Sequence, residues 1–244
     1  MTLLAVVVGL VLGSFANVCI HRLPRRESVT LGRSRCPRCG AQIWARDNVP
    51  VVSYLLLRGR CRDCGGPISL RYPVVEVAAA ILTVVLLRRF GLTVDGIAYA
   101  FLGITLMVVF AIDLEHHIIP NAITYPGIAA GLVVAAAAGR GVNALLAAAG
   151  ASGLMLLIAL LSRGGMGGGD VKLAAMLGAF LGWPLIAVAL LLAFFAGAGV
   201  GVLLIALGRR SRKDVLPFGP AMAAGAVAAL LWGAPLLHWY LSLR

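Results

Sequence analysis

Beyond Tyr72 the chain is almost continuously apolar, and only short polar or Gly/Pro breaks divide it. Cut at those breaks it gives segments 73–88, 94–112, 122–139, 142–162, 171–182, 184–208 and 218–241, with Leu3–Ile20 as a further one ahead of them. A helix rises about 1.5 Å per residue, so some 20 apolar residues cross a hydrocarbon core of about 30 Å. The expected fold is therefore an all-α polytopic membrane protein with about eight transmembrane helices. The least regular part is the short 171–182 segment and the Gly182-Trp183-Pro184 break behind it. Composition agrees: 61% of residues are hydrophobic and 12% charged, against roughly 45–50% and 25% in soluble domains. Mean hydropathy is +0.99. A net charge of +12 could suggest nucleic acid, but with 7% aromatic residues and no polar folded surface to carry a basic face, that partner is excluded.

Residues 21–72 are the one long polar segment, and they divide the chain into a first helix (1–20), a cysteine-bearing domain (21–72) and a membrane domain (73–244). Cys36-x-x-Cys39 and Cys61-x-x-Cys64 are separated by 21 residues, each pair followed at once by glycine (Gly40, Gly65). Two such knuckles hold four thiolates in a tetrahedron, the geometry of closed structural zinc sites. Four cysteines can also hold an iron–sulfur cluster. A redox CxxC needs only one pair, and disulfides do not suit the reducing compartment in which arginine-rich loops stay. Cys19, inside the first segment, reads as an apolar filler.

Basic residues set the orientation. Eleven arginines fall in 21–72, four more Lys/Arg in 209–213, and Arg163 and Lys172 flank the glycine stretch, so 17 of the 21 lie on one side. Arg88, Arg89, Arg140 and Arg244 fall on the other. The positive-inside rule places the cysteine loop in the cytoplasm and both termini outside. The first segment has no basic leader region and no small-residue cleavage site, so it is expected to be retained.

Two acids then emerge on the cytoplasmic side at one depth. Asp113 closes the third segment, and Asp170 follows the fifth in Gly164–Asp170, GGMGGGD. A lone acid at a helix end is usually a cap. A carboxylate at membrane depth calls for a partner, however, and each is the obvious partner of the other. Two carboxylates sharing a site cannot both ionise cheaply, so one keeps a proton while the other deprotonates a water, the division of labour of aspartic proteolysis. Gly167, Gly168 and Gly169, with Gly164 and Gly165 before them, lack a Cβ and would let a substrate backbone lie close to Asp170. His116 and His117 form no HExxH motif, and adjacent helical side chains point about 100° apart, so interfacial side chains fit better than metal ligands. Glu115 orients Asp113 or is solvated. Glu76 and Asn17 are polar groups inside apolar helices and need partners, for Glu76 either Arg71 or a buried amide. Gly9 and Gly13 have the spacing of a close helix–helix contact.

The stretches GSFANVCIHRLP (13–24), the two-CxxC loop running into ISLRYPVVE (68–76), DLEHHIIPNAIT (113–124), GGMGGGDVKLAAMLGAFLG (164–182) and PFGP (217–220) resemble, in order, the bacterial type IV prepilin peptidases of the GxGD membrane aspartic proteases. The resemblance implies Asp113 and Asp170 as the catalytic pair. It also implies prepilin and pseudopilin substrates of type IV pili or type II secretion, cut at the basic leader on the cytoplasmic face of the bacterial inner membrane. N-methylation of the new terminus with S-adenosylmethionine would follow. Position 121, often Asp in that family, is Asn here. The chain has no strand–GxGxxG–helix unit, so no motif locates the adenosylmethionine site. Two other classes fit part of the pattern. A proton- or ion-coupled transporter would use intramembrane acids, but near the bilayer midplane; an assembly factor would use the cysteine loop to dock secretion proteins and would tolerate loss of either Asp.

Overall fold

A computed structural model describes residues 2–162, 166–209 and 216–242. Arg163, Gly164, Gly165, Arg210, Arg212, Lys213 and Arg244, all used in the sequence reading, lie outside the described residues. The elements are α1 (Thr2–Arg22), a short α2 (Val52–Leu56), α3 (Arg71–Phe90), α4 (Val94–His116), α5 (Asn121–Ala137), α6 (Gly141–Leu161), α7 (Gly168–Leu181), α8 (Leu185–Ala206) and α9 (Gly219–Ser242). No strand forms among the described residues.

Eight helices of 14 to 24 residues occupy the eight expected segments. Five of them, α1, α4, α6, α8 and α9, are long and apolar enough to cross a membrane. The other three depart for separate reasons: α3 carries Arg71, Glu76, Arg88 and Arg89, α5 has 17 residues and α7 only 14. At 1.5 Å per residue α7 is about 21 Å long. Its shortness goes with its place at the centre, where Leu173, Ala174, Met176, Leu177 and Ala179 are all fully buried. A helix apolar on every face belongs inside the bundle rather than against lipid.

Small residues set the packing. A Cβ on Gly9 would lie 2.5 Å from the Cα of Ala80, and one on Gly13 would lie 2.7 Å from the Cα of Glu76, so α1 and α3 touch through their backbones. Gly178 brings α7 onto α6 in the same way, within 2.6 Å of the Ala147 and Ala148 backbones. The Gly182-Trp183-Pro184 break is a real interruption. It is held by Asn143, whose Oδ1 accepts from the Trp183 N–H at 2.7 Å and whose Nδ2 donates to the Trp183 carbonyl at 3.1 Å. Cys19 is half-buried and packs beside Ile20, Val75 and Ile112.

Side-chain pairs identify the two ends of the bundle. Arg140 on the turn before α6 meets Asp95 at the start of α4. At the other end Arg71, opening α3, meets Glu115 near the end of α4 at 2.8 Å. The cysteine segment, joining α1 to α3, sits at this second end.

Candidate active site

Both acids lie at the end that carries the cysteine segment. Asp113 sits on the last turn of α4, following buried Val109 and Ile112, and is itself buried at 4% exposure. An acid there opposes the negative C-terminal end of its own helix. The start of α9 offsets this: the Gly219 N–H donates to Asp113 Oδ2 at 3.0 Å, the amide of a helix N-terminus aimed at an anion. A Cβ on Gly219 would lie 2.6 Å from that same oxygen, so only glycine admits the contact. α4 closes on His117 in the left-handed region (φ 54°), whose N–H returns to the Asp113 carbonyl at 2.9 Å.

Asp170 is reached differently from the expectation. The last glycines of the stretch enter the helix, so α7 begins at Gly168 and Asp170 falls in its first turn, the position favoured for an acid by the helix dipole. Its Oδ2 accepts from the Gly167 N–H at 3.3 Å. Its Oδ1 is buried with no partner, an uncommon state for a carboxylate oxygen. Asp170 is therefore a cap through one oxygen and an unanswered acceptor through the other. The two carboxylates are close enough for the charge on Asp113 to act on Asp170.

The surrounding residues fix the two motif segments against each other. Lys172 Nζ donates to Asn121 Oδ1 at 2.9 Å and lies 5.2 Å from the Tyr125 ring centre, tying α7 to the start of α5. Pro120 immediately precedes α5 with φ −66°. A Cβ on Gly169 would lie 3.0 Å from Ile119 Cβ, so that glycine lets the two segments meet. Gly168 faces open space, with nothing within 4 Å of an added Cβ. His116 and His117 are exposed, and the sole cluster of metal-ligand type among the described residues is elsewhere. Glu115 turns away to Arg71, and Glu76 takes the backbone amide of Val51 at 2.8 Å.

That other cluster is the cysteines. The sulfurs of Cys36, Cys39, Cys61 and Cys64 all lie within 4.8 Å of one another, Cys36 and Cys64 at 3.9 Å. The two knuckles repeat one local design. The Cys36 N–H bonds to the Ala41 carbonyl and the Cys61 N–H to the Gly66 carbonyl, while Gly40 and Gly65 take φ 72° and 65° and return their N–H groups to the first cysteine of each pair. A glycine after each pair is what that left-handed turn requires. Backbone N–H groups of Cys39 and then Arg38 point at the Cys36 sulfur and bring its thiol down to about 7. Arg62, inside the second knuckle, grips Asp47 of the segment between the two with bonds of 2.8 and 2.6 Å, which holds the Asp47 carboxyl below the usual range.

Comparison with known proteins decides the family. The Bacterial Peptidase A24 N-terminal domain matches residues 7–90 and the Type IV leader peptidase family matches residues 100–202. A protein named prepilin leader peptidase/N-methyltransferase from Burkholderia pseudomallei is 39% identical over 95% of this chain and 85% of its own length. The chain belongs to the type IV leader peptidase family. Proteins of the same name from Pseudomonas putida and Pseudomonas aeruginosa are 37% and 35% identical, over 94% and 98% of this chain and 90% and 93% of theirs. No solved structure matches. Within this leader peptidase fold, the residue that sequence reasoning passed over is Gly219. It stood inside the PFGP stretch, but nothing local linked it to an acid 106 residues earlier.

Proposed function

We propose that this protein is a membrane aspartic endopeptidase that removes the basic leader of type IV prepilins and pseudopilins at the cytoplasmic face of the inner membrane. The observation that carries the reading is the pair of buried acids at one end of the bundle, one of them with an unpartnered oxygen. One carboxyl polarises the scissile carbonyl while the other takes a proton from water. A peptide bond inside a helix is hydrogen-bonded and covered, so the substrate is extended where it is cut, and the junction beside a basic leader meets that need. The open face of Gly167 and Gly168 admits the extended backbone beside Asp170. A transporter would carry its acids near the midplane; these stand at a helix end, in the last turn of α4 and the first of α7, and the transporter reading has no support.

Residues 21–72 serve as a zinc-stabilised domain and 73–244 as the peptidase proper. The sulfur spacing fits the ion: a tetrahedron with metal–sulfur bonds of about 2.3 Å has edges of about 3.8 Å. The relatives' names carry a second activity, N-methyltransferase; in this chain it would act on the newly exposed terminus, with S-adenosylmethionine as donor. The test of the peptidase is Asp113→Asn and Asp170→Asn, each assayed for leader removal from a prepilin. Each variant is expected to fall by about 10²–10⁴-fold, the usual contribution of acid–base catalysis. Near-normal cleavage by either well-expressed variant rules out the dyad.

A further inference from the structure

The cysteine segment carries an apolar surface that neither the knuckles nor the two acids use. Its short helix α2 turns Ser53, Tyr54 and Leu57 inward, to a cavity of about 640 Å³ between this segment and the adjoining ends of α1 and α3. Val52, Leu55 and Leu56 point the other way and are 50%, 67% and 77% exposed. At about 100° per residue these three fall within one arc of about 100°, so they form a continuous apolar face rather than scattered side chains. Arg46, Arg58 and Arg60, before and after α2 in the chain, are exposed as well.

Glu76 sets the depth of that face. Val51, the residue before α2, is held at φ 61°, a costly conformation for a β-branched residue, and its N–H donates to Glu76 Oε2 at 2.8 Å. Glu76 stands in the second turn of α3, where a Cβ on Gly13 of α1 would lie 2.7 Å from its Cα, well before α1 ends at Arg22. Even with the Glu76 side chain leaning back towards the start of its helix, α2 begins beside the first turns of α3 and not above its end. Phe15 of α1 and Val74 and Val77 of α3 are exposed at that depth, where the bundle presents apolar side chains outward. The backbone of α2 is closed by its own chain. The N–H groups of Leu57, Arg58, Gly59 and Arg60 return to the carbonyls of Ser53, Leu55, Tyr54 and Leu57. Ser53 Oγ accepts from the Val49 N–H and donates to the Arg46 carbonyl, each at 2.9 Å. A segment at the edge of a hydrocarbon layer needs that internal pairing.

We propose that α2 is an interfacial helix that lies in the lipid leaflet on the side of the cysteine segment. Val52, Leu55 and Leu56 sit among the upper acyl chains, and Arg46, Arg58 and Arg60 sit on the phosphates of anionic phospholipids. Five residues are far too few to cross, so the chain enters the leaflet and returns on the same side. The segment between α1 and α3 is thereby anchored at a third point besides its two ends. It is held down on the membrane face where Asp113 and Asp170 stand, and the strained Val51 is the joint that ties the anchor to α3.

The test is depth in a bilayer. Leu56→Trp is made in the full chain with Trp44, Trp183, Trp232 and Trp239 changed to Phe, and the protein is reconstituted into vesicles of phosphatidylglycerol and phosphatidylcholine. Lipid brominated high on its acyl chains is expected to lower the fluorescence by about twofold or more, while aqueous iodide changes it little. Quenching by iodide and not by the brominated lipid puts the face in water and overturns the proposal. Protection from both puts the face against protein, a partner or a second copy, and overturns it as well. Elution as a single species and helical circular dichroism check folding. A second measurement needs no variant: the unsubstituted protein is reconstituted with phosphatidylglycerol that carries a photoactivatable group high on its acyl chain, irradiated and digested with trypsin. Adducts on the peptide 47–58 are expected, at about twofold or more the yield from a phosphatidylcholine probe. Adducts confined to other peptides overturn the site, and equal yields from the two probes overturn the part given to the arginines.

Discussion

The N–H of Gly219 donates to Oδ2 of Asp113 over 3.0 Å, so the start of the last helix holds the acid at the end of α4. The acid is thereby fixed by a group with no side chain to move. Gly219→Ala would place a Cβ 2.6 Å from that oxygen, with Asp113 Cγ at 3.1 Å, and must push the carboxylate aside. A displacement of about 1 Å at a reacting group costs about a hundredfold in rate. Leader cleavage by Gly219→Ala is expected to fall by that order, with the change in kcat rather than KM. Cleavage within twofold of normal, measured on a purified prepilin, would show that the position of Asp113 does not depend on this contact.

The glycines before Asp170 separate in the same way. Gly168 takes a Cβ into open space and Gly169 takes one against Ile119. Alanine is the better helix former by up to about 1 kcal/mol, so Gly168→Ala should keep or slightly raise the unfolding temperature in detergent. If the open face receives substrate backbone, the same variant should lose about tenfold in cleavage. Gly169→Ala should lose stability and activity together. A fully active Gly168→Ala would leave that face without a role in the cut.

What the sequence disclosed was largely local. Apolar runs ended by Gly, Pro or charge give the helices within a few residues, because the lipid-facing and buried segments both need continuous apolar length. Paired cysteines followed by glycine give the cluster, because the knuckle is a local turn that needs that glycine. The start of α7 was not legible: the apolar segment read from the sequence begins at 171, whereas Gly168 and Gly169 enter the helix, with the Asp170 carboxylate folded back onto the N–H of Gly167 at its N-cap. The sequence left Glu76 either Arg71 or an amide; Arg71 stands far closer in sequence to Glu76, yet the fold gives it to Glu115, 44 residues away, and leaves Glu76 the amide of Val51. Gly219 and Asp113 meet only through tertiary structure, which no spacing encodes.

The cysteine cluster predicts one zinc ion per chain. Metal analysis of the protein purified under reducing conditions should give a ratio near one, and Cys61→Ser should lower it. Removing the metal with a strong chelator should unfold residues 21–72 first, because binding to a four-thiolate site is coupled to folding. Purified protein with no zinc, or with iron and a visible absorption band in its place, would overturn the assignment.

Orientation can be checked on the exposed arginines of the cysteine segment. Arg25, Arg26 and Arg33 are exposed, so trypsin should cut there from whichever side the segment faces. Cleavage is expected in inverted vesicles and not in intact spheroplasts, consistent with the bias of basic residues to this side. Cutting at these sites from outside spheroplasts would reverse the topology, and with it the side on which leaders are removed.

The last prediction separates the two chemistries. Asp113 and Asp170 lie outside the cavity between the cysteine segment and the adjoining ends of α1 and α3. Asn keeps the shape of Asp and removes its acid–base function. Asp113→Asn and Asp170→Asn should therefore abolish leader removal while leaving methyl transfer to a pre-cleaved pilin within a few-fold of normal, because that substrate already presents its amine. The measurement is incorporation of labelled methyl into pre-cleaved pilin in detergent, alongside cleavage of intact prepilin by the same preparations. Parallel loss of both activities in two well-folded variants would mean that the acids shape a single shared site; retained methylation with lost cleavage is the result that two neighbouring sites at one membrane face require.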